Sequence, residues 1–375
     1  MKVAVVTGTR AEYGIWRPVL RALGATRGLG VQLVVTGMHL LPEFGGTVRE
    51  ITRDGRREGW SVAARVPMYQ KGDEPAESLA RGIAGMARTL GRLQPDLVFV
   101  LGDRLEILAA ACAALTRRVP IAHLHGGETA PAQWDEQIRH AVTKMAQLHF
   151  CATEAARERI LRMGEDPRRV HLVGAPALDE ARVFLKREGK RATAAAPGPR
   201  ALVVLHPTSP DESVEFARAR MMLGALGAAG IRDVLASGPN NDPGHRGILR
   251  AYRAAGVPMV MSLTQQEFWR EMASRRILVG NSSSGIIEAA TFRCAVVNIG
   301  DRQGGRERNG NVLDVPWKAQ GIRAALRRVL SDRAYGRRVA SGENLYGDGG
   351  AARRIARIVR GVDLAALRAP KQFCD

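Results

Sequence analysis

The chain has 375 residues, 45% of them hydrophobic and 25% charged, which is long and apolar enough for two domains with separate cores. Its net charge is +19, but the arginines are scattered through amphipathic segments (Arg17, Arg21, Arg81, Arg88, Arg157, Arg159) and aromatics are only 5%. A nucleic-acid binder with a basic run and interleaved stacking rings is therefore not expected. No stretch approaches the ~18 consecutive apolar residues of a membrane span, so no membrane partner is expected either. The four cysteines (Cys112, Cys151, Cys294, Cys374) lie far apart with no C-x-x-C, which argues against a disulfide framework or a zinc site and for the reducing cytoplasm.

Apolar strand-like runs alternate with amphipathic helix-like runs, the pattern of parallel α/β architecture. The opening MKVAVVTGTRAEYG has one charge, a short apolar run and a polar turn, so Val3–Thr7 reads as a first strand and not as a signal peptide. Gly8 and Gly14 in this turn do not make G-x-G-x-x-G. The next strand, Val31–Thr36, ends in VVTGM with no acidic residue for a ribose, so a dinucleotide cofactor is not expected. G-x-x-x-x-G-K-S/T is absent as well. Further strands are read at Leu97–Leu101, Pro120–Leu124, Leu148–Ala152 and His171–Val173, with helices at Leu105–Leu115 and Ile138–Ala146.

Asp103 follows a buried strand and precedes a helix, so it is either a site residue or an N-cap. The richest segment is IAHLHGGETAPAQWDEQIRH, from Ile121 to His140. It places His123, His125, Glu128, Asp135, Glu136, Arg139 and His140 around Gly126-Gly127. Proton-transfer groups at the carboxyl end of a strand occupy the place where ligands sit in open α/β sheets. His123 alternates inward with Ile121 and reads as structural; His140 and Lys144 read as lining a helix surface. Arg10, in the first turn, adds a cation to this rim.

The basic, Ala-rich run from Leu185 to Arg200 interrupts the pattern and reads as an interdomain linker. The expected domains are 1–185 and 201–355, joined by 186–200, with a C-terminal helix at about 356–375 returning to the first. The second series has strands at Ala201–Leu205, Asp233–Ala236, Met259–Met261, Ile277–Val279 and Ala295–Ile299. His206, Asn240 and Asn241 end two of them. After Ile277–Val279 comes Gly280-Asn281-Ser282-Ser283-Ser284-Gly285, with a helix expected from about Ile286. Backbone N–H groups and hydroxyls there suit a diphosphate, plain Ser capping being the alternative. Glu288, a turn later, is placed to accept from ribose hydroxyls. Arg302 and Arg306 lie on a Gly-rich loop suited to phosphate.

The segments GTRAEYG, TGMHLLPEFG, LGDRLEILA, HLHGGE, DEQIRHAVTKMAQLHFCATE, GNSSSGIIE and NIGDRQGGRERNGNV resemble, in order, the hydrolysing UDP-N-acetylglucosamine 2-epimerases. The resemblance runs from Gly8 to Val312. It implies two Rossmann-like doubly wound domains facing a central cleft (GT-B-like) and no cofactor or metal. It also implies a UDP-sugar substrate with UDP as product, and a homodimer or homotetramer. The implied reaction is anti elimination of UDP to a glycal, followed by hydration to a free N-acetylmannosamine-type sugar. UDP-GlcNAc or a 2,4-diacetamido-6-deoxy analogue would be the donor. The family's acidic positions fall on Asp103, on the HLHGGE segment and on Asp135-Glu136. Where some members have HIEGG this chain has HLHGG, which leaves His125 and Glu128 as alternatives. UDP-contacting positions correspond to Arg10, His206, Ser282, Ser283, Glu288 and Arg302; Asn281, Ser284 and Gly285 join them from the same turn as Ser282, and Asn240 from the end of the strand that follows His206. A non-hydrolysing epimerase and a glycosyltransferase on the same fold are the alternative activities.

Overall fold

The computed structural model describes the whole chain except residues 43–44, 130–133, 194–197, 241 and 262; the side chains of 189–193 are also left aside. Asn241 and two residues of TGMHLLPEFG thus lie outside the described residues. The chain divides into two compact units, Met1–Glu180 with Tyr346–Asp375, and Ala181–Leu345.

The first unit holds a seven-stranded parallel sheet in the order β3-β2-β1-β4-β5-β6-β7. Its strands are β1 (Lys2–Thr7), β2 (Gly30–Thr36), β3 (Val62–Val66), β4 (Leu97–Leu101), β5 (Ile121–Leu124), β6 (Leu148–Cys151) and β7 (Val170–Leu172). Connecting them are α1 (Arg10–Gly24), α2 (Val48–Glu58), α3 (Pro75–Leu93), α4 (Leu105–Thr116), α5 (Asp135–Met145) and α6 (Glu154–Arg162), and α7 (Ala177–Thr193) leads out. The central strands are largely apolar because both faces are covered. Val3 and Val5 enter the core on one side with Trp16 and Phe99, whereas Ala4 and Val6 enter the other with Val98 and Ile107.

The second unit repeats the plan with six strands, in the order β10-β9-β8-β11-β12-β13. They are β8 (Arg200–Val204), β9 (Asp233–Ser237), β10 (Met259–Val260), β11 (Ile277–Gly280), β12 (Ala295–Ile299) and β13 (Val312–Val315). Its helices are α8 (Glu212–Ala228), α9 (His245–Ala254), α10 (Gln265–Arg275), α11 (Ser283–Ile287), α12 (Ala319–Ser331) and α13 (Arg333–Ser341). The chain then returns to the first unit through α14 (Ala351–Arg360) and α15 (Leu364–Arg368). Ile355 and Val359 of α14 join the core of Trp16 and Phe99, and Asp179 caps the helix by accepting from the Ala351 and Ala352 amides at 3.0 and 2.8 Å.

Both sheets are the Rossmann-like doubly wound kind expected. In each, the order reverses beside the first strand, between β1 and β4 and between β8 and β11, which leaves a crevice at their carboxyl ends. Three local details differ from the sequence reading. β3 and β13 were not expected; both are edge strands, where water on one side permits the polar residues that hide an apolar run. Residues 186–193, read as linker, continue α7, since Lys, Arg and Ala favour helix when no Pro intervenes. α11 begins at Ser283, three residues before the expected start, because Ser282 supplies the N-cap.

The chain's last residues are pinned by charge. Lys371 donates to the Lys144 and Ala146 carbonyls at 2.7 and 2.6 Å, closing the carboxyl end of α5. It also meets the buried Glu165 carboxylate at 2.6 Å, which Lys144 (2.7 Å) and His149 (3.0 Å) share. Lys144 therefore belongs to this cluster at the far end of α5.

Candidate active site

In the first unit the sheet register sets the level of the site. Leu101 of β4 pairs with Leu124 of β5, so Asp103 and His125 leave adjacent strands at nearly the same height. The Gly102 amide donates to the Leu124 carbonyl at 3.0 Å, and the His125 amide to the Phe150 carbonyl at 3.0 Å. Gly126 and Gly127 are glycines for want of room. A Cβ on Gly126 would lie 2.8 Å from His123 Nδ1, and one on Gly127 would lie 2.3 Å from the Ala156 carbonyl of α6.

Asp103 is not a helix cap: α4 starts from Arg104 with no side-chain cap, and the Asp103 carboxylate is ion-paired with Arg139 of α5. Arg139 is 3% exposed and also donates to the Glu128 carbonyl at 2.9 Å. One buried guanidinium thus ties the ends of β4, β5 and the first turns of α5 together. Arg139 lies one helical turn after Asp135, and that i, i+4 spacing was the available signal for it. The Glu128 side chain reaches back to His125, whose Nδ1 bonds Glu128 Oε1.

Asp135 opens α5, where burial pushes its carboxyl up against the opposing pull of Arg104. Arg104 also lies 3.4 Å from Glu106 and 3.9 Å from Glu12, two buried carboxylates beneath the first turn. Burial, with Glu106 beside it, raises the Glu12 carboxyl to about 8. The Glu106 side chain lies against Gly8 and Gly37, each of which has no room for a Cβ beside it. Glu12, Arg104 and Glu106 were not singled out from the sequence, because nothing local distinguishes them from ordinary helix residues. Glu136 turns toward His140, 3.4 Å from its Nε2, and Arg10 pairs with Glu50 of α2 at 3.6 Å. Neither Glu136 nor Arg10 joins the Asp103–Arg139–Glu128–His125 group through these contacts. His123 is structural: Nδ1 meets Thr143 Oγ1 at 3.1 Å, Nε2 meets the Gly102 carbonyl at 2.9 Å, and burial lowers it to about 3.

In the second unit Val204 pairs with Gly280, so His206 and Asn281 leave neighbouring strands side by side. Gly280 has φ +147°, and a Cβ there would lie 2.0 Å from the Val204 carbonyl, which only glycine escapes. Asn281 is fully buried. Its Oδ1 accepts from the His206 amide and its Nδ2 donates to the His206 carbonyl, both at 2.8 Å. Both ends of its carboxamide are therefore engaged in clamping His206, a positioning task. His206 Nδ1 accepts from the Asn240 amide at 3.1 Å, which places the ring proton on Nε2. Burial, and then Arg302, lower this imidazole to about 4, so it is neutral.

Arg302 and Gln303 both donate to the Asn281 carbonyl, at 3.2 and 3.0 Å, which joins the loop after β12 to the turn after β11. Burial holds the Arg302 guanidinium below its ordinary value, Arg306 adding to this and Asp242 opposing it. Arg306 Nε and Nη1 are buried with no hydrogen-bond partner among the described residues. Ser282 Oγ accepts from the Ser284 amide at 3.4 Å and meets Ser284 Oγ at 2.8 Å, while Ser283 is half-buried. Gly285 packs closely on β12, its Cβ position 3.1 Å from Val296 Cγ1. Glu288 accepts from Trp269 Nε1 at 2.7 Å, and burial raises its carboxyl to about 7.

Among the described residues no group of three or more His, Cys, Asp or Glu is arranged to hold a metal, and no helix is long and apolar enough to cross a membrane. The pattern of the family described as UDP-N-acetylglucosamine 2-epimerase matches residues 21–360. A Legionella pneumophila protein named UDP-N,N'-diacetylbacillosamine 2-epimerase (hydrolyzing) is 35% identical over 97% of this chain and 96% of its own. A Campylobacter jejuni protein named GDP/UDP-N,N'-diacetylbacillosamine 2-epimerase (hydrolyzing) is 29% identical over 84% of each chain. Among solved structures, the Neisseria meningitidis UDP-GlcNAc 2-epimerase bound to UDP-GlcNAc superposes with a TM-score of 0.83 at 20% identity. It covers 96% of this chain and 100% of its own, and establishes a shared fold.

Proposed function

The chain belongs to the UDP-N-acetylglucosamine 2-epimerase family, and from that premise we propose that it is a hydrolysing UDP-sugar 2-epimerase. It converts a UDP-2-acetamido sugar and water into UDP and the free 2-epimeric sugar. The observation that carries the reading is the cluster of Asp103, Arg139, Glu128 and His125 at the ends of β4 and β5.

The C-2 proton of such a sugar is not acidic. Cleavage of the anomeric C–O bond must run ahead and build positive charge, which fixed carboxylates stabilise while a base takes the proton. Asp103 and Asp135 are the carboxylates for that charge, Glu136 being the alternative to Asp135, and His125 with Glu128 supplies the proton transfer. The diphosphate is received by Ser282, Ser283, Ser284, Gly285 and Arg302, with Asn281 and Asn240 fixing His206 as a neutral donor. Glu288 faces the ribose, and Arg10 adds positive charge on the first unit.

The donor favoured by the 35% identical relative is a UDP-2,4-diacetamido-6-deoxy sugar, with UDP-GlcNAc as the competitor. Assembly as a homodimer or homotetramer in the cytoplasm completes the reading; the first rests on the family resemblance, and four free cysteines agree with the second.

Proton NMR with each donor in deuterated water tests it. The expected products are UDP and a free 2-epimeric sugar carrying deuterium at C-2. Epimerised UDP-sugar without free UDP would make it a non-hydrolysing epimerase, and turnover only with an added sugar acceptor would make it a glycosyltransferase.

A further inference from the structure

β5 and the turn after it carry two buried imidazoles, and the two are wired differently. His123 has both ring nitrogens bonded within the protein, to Thr143 and the Gly102 carbonyl. His125, two residues later and 8% exposed, has only Nδ1 engaged, by Glu128; its Nε2 is buried with no hydrogen-bond partner among the described residues. Buried polar atoms are nearly always bonded, so one left open at a strand's carboxyl end points to a ligand.

The backbone agrees. His125 has φ +61°, a left-handed conformation that non-glycine residues avoid and that survives where surrounding contacts enforce it. Here the enforcing contacts are its amide on the Phe150 carbonyl and the Gly126-Gly127 turn packed on His123 and α6. The turn swings the imidazole out of the strand's inward alternation, and three residues later the chain returns Glu128 to its Nδ1.

We infer that His125 Nε2 is the base that takes the C-2 proton, and that Glu128 is a positioning residue acting through it. An ionised Glu128 is acceptor-only, so Nδ1 must carry the hydrogen and Nε2 must offer its lone pair. As the proton arrives at Nε2, the C2–H electron pair becomes the C1=C2 double bond and the C1–O pair leaves with the diphosphate. Glu128 then faces an imidazolium and stabilises it, the arrangement of a carboxylate behind a histidine base.

This assignment rests on the epimerase reading, and the test separates the two. UDP release is measured for the native protein, His125→Gly and Glu128→Gln, with and without added imidazole. Glycine accepts φ +61° without strain and leaves a ring-sized space. The expected loss in His125→Gly is about 10³-fold in kcat with KM little changed, and imidazole restores a measurable part of it. Glu128→Gln keeps an acceptor for Nδ1–H and is expected to fall only about 10- to 100-fold, with no response to imidazole. Should glycine loosen the turn, His125→Asn, which also tolerates left-handed backbone, must be equally inactive while still binding UDP. Retention of activity within about tenfold in His125→Gly, or no rescue by imidazole, overturns the assignment. An inactive native protein on both UDP-sugars overturns the epimerase reading instead.

Discussion

The ends of the two sheets solve opposite electrostatic problems with the same topology. At the end of β4 and β5 ionisable groups are paired among themselves: Asp103 with Arg139, Glu128 with His125, Arg104 beside Glu106 and Glu12. At the end of β8 and β11 the scaffold is neutral. A carboxamide clamps the His206 backbone, hydroxyls bond one another, and the cations Arg302 and Arg306 form no ion pair among the described residues, Asp242 acting on Arg302 only at longer range. The first arrangement fixes carboxylates and an imidazole in position before any substrate arrives. The second leaves positive charge to be satisfied by an anion. The proposed reaction, which expels a diphosphate while stabilising charge on a sugar, calls for both kinds of group.

Three substitutions sharpen this contrast. The largest effect is expected from Asp103→Asn, which keeps the shape but removes the charge opposite Arg139. Turnover should fall at least about 100-fold while UDP affinity changes little, as seen by parallel kinetics and calorimetry. Activity near the native level would return Asp103 to a structural role. Asn281→Ala is expected to act on the other site. It strips both bonds from a buried backbone segment, costing about 1–3 kcal/mol of stability, and it should weaken UDP binding more than it lowers kcat. Unchanged UDP affinity would mean that His206 needs no clamp.

Lys371→Ala should matter least, lowering the melting temperature with kcat nearly intact. Its pH dependence has a definite sign. His149, Lys144 and Lys371 together overcome the burial of Glu165 and hold its carboxyl at about 2, below the ordinary 4.5. The stabilisation is therefore fully present above pH 4.5 and is lost as the pH falls toward 2. The variant should show a smaller loss of melting temperature across that window, and equal losses in both proteins would remove Glu165 from the account.

The sequence was most legible where the pattern is local. The apolar runs of the central strands gave both sheets, since a strand buried on both faces must be apolar along its length. The edge strands β3 and β13, with one side toward water, carried no such run. The candidate positions were legible as strand ends, from Asp103 through Asp135 in the first unit and from His206 through Arg302 in the second. Their partners were not. Asn281 reads as a ligand contact in GNSSSG, yet its carboxamide is committed to a residue 75 positions away. Arg139 reads as one charge among many, yet it is the centre of its cluster.

By itself, then, the sequence determined the doubly wound architecture and the list of polar groups delivered to the strand ends, because periodicity and strand-end chemistry are written within a few residues. Only the tertiary structure decided how those groups are paired: Asp103 with Arg139 and not with its own helix, Asn281 with His206, and His125 with one nitrogen bonded and the other open. Hydrogen bonds and ion pairs of that kind depend on which strands lie side by side and on register, and both are set by the packing of the whole sheet.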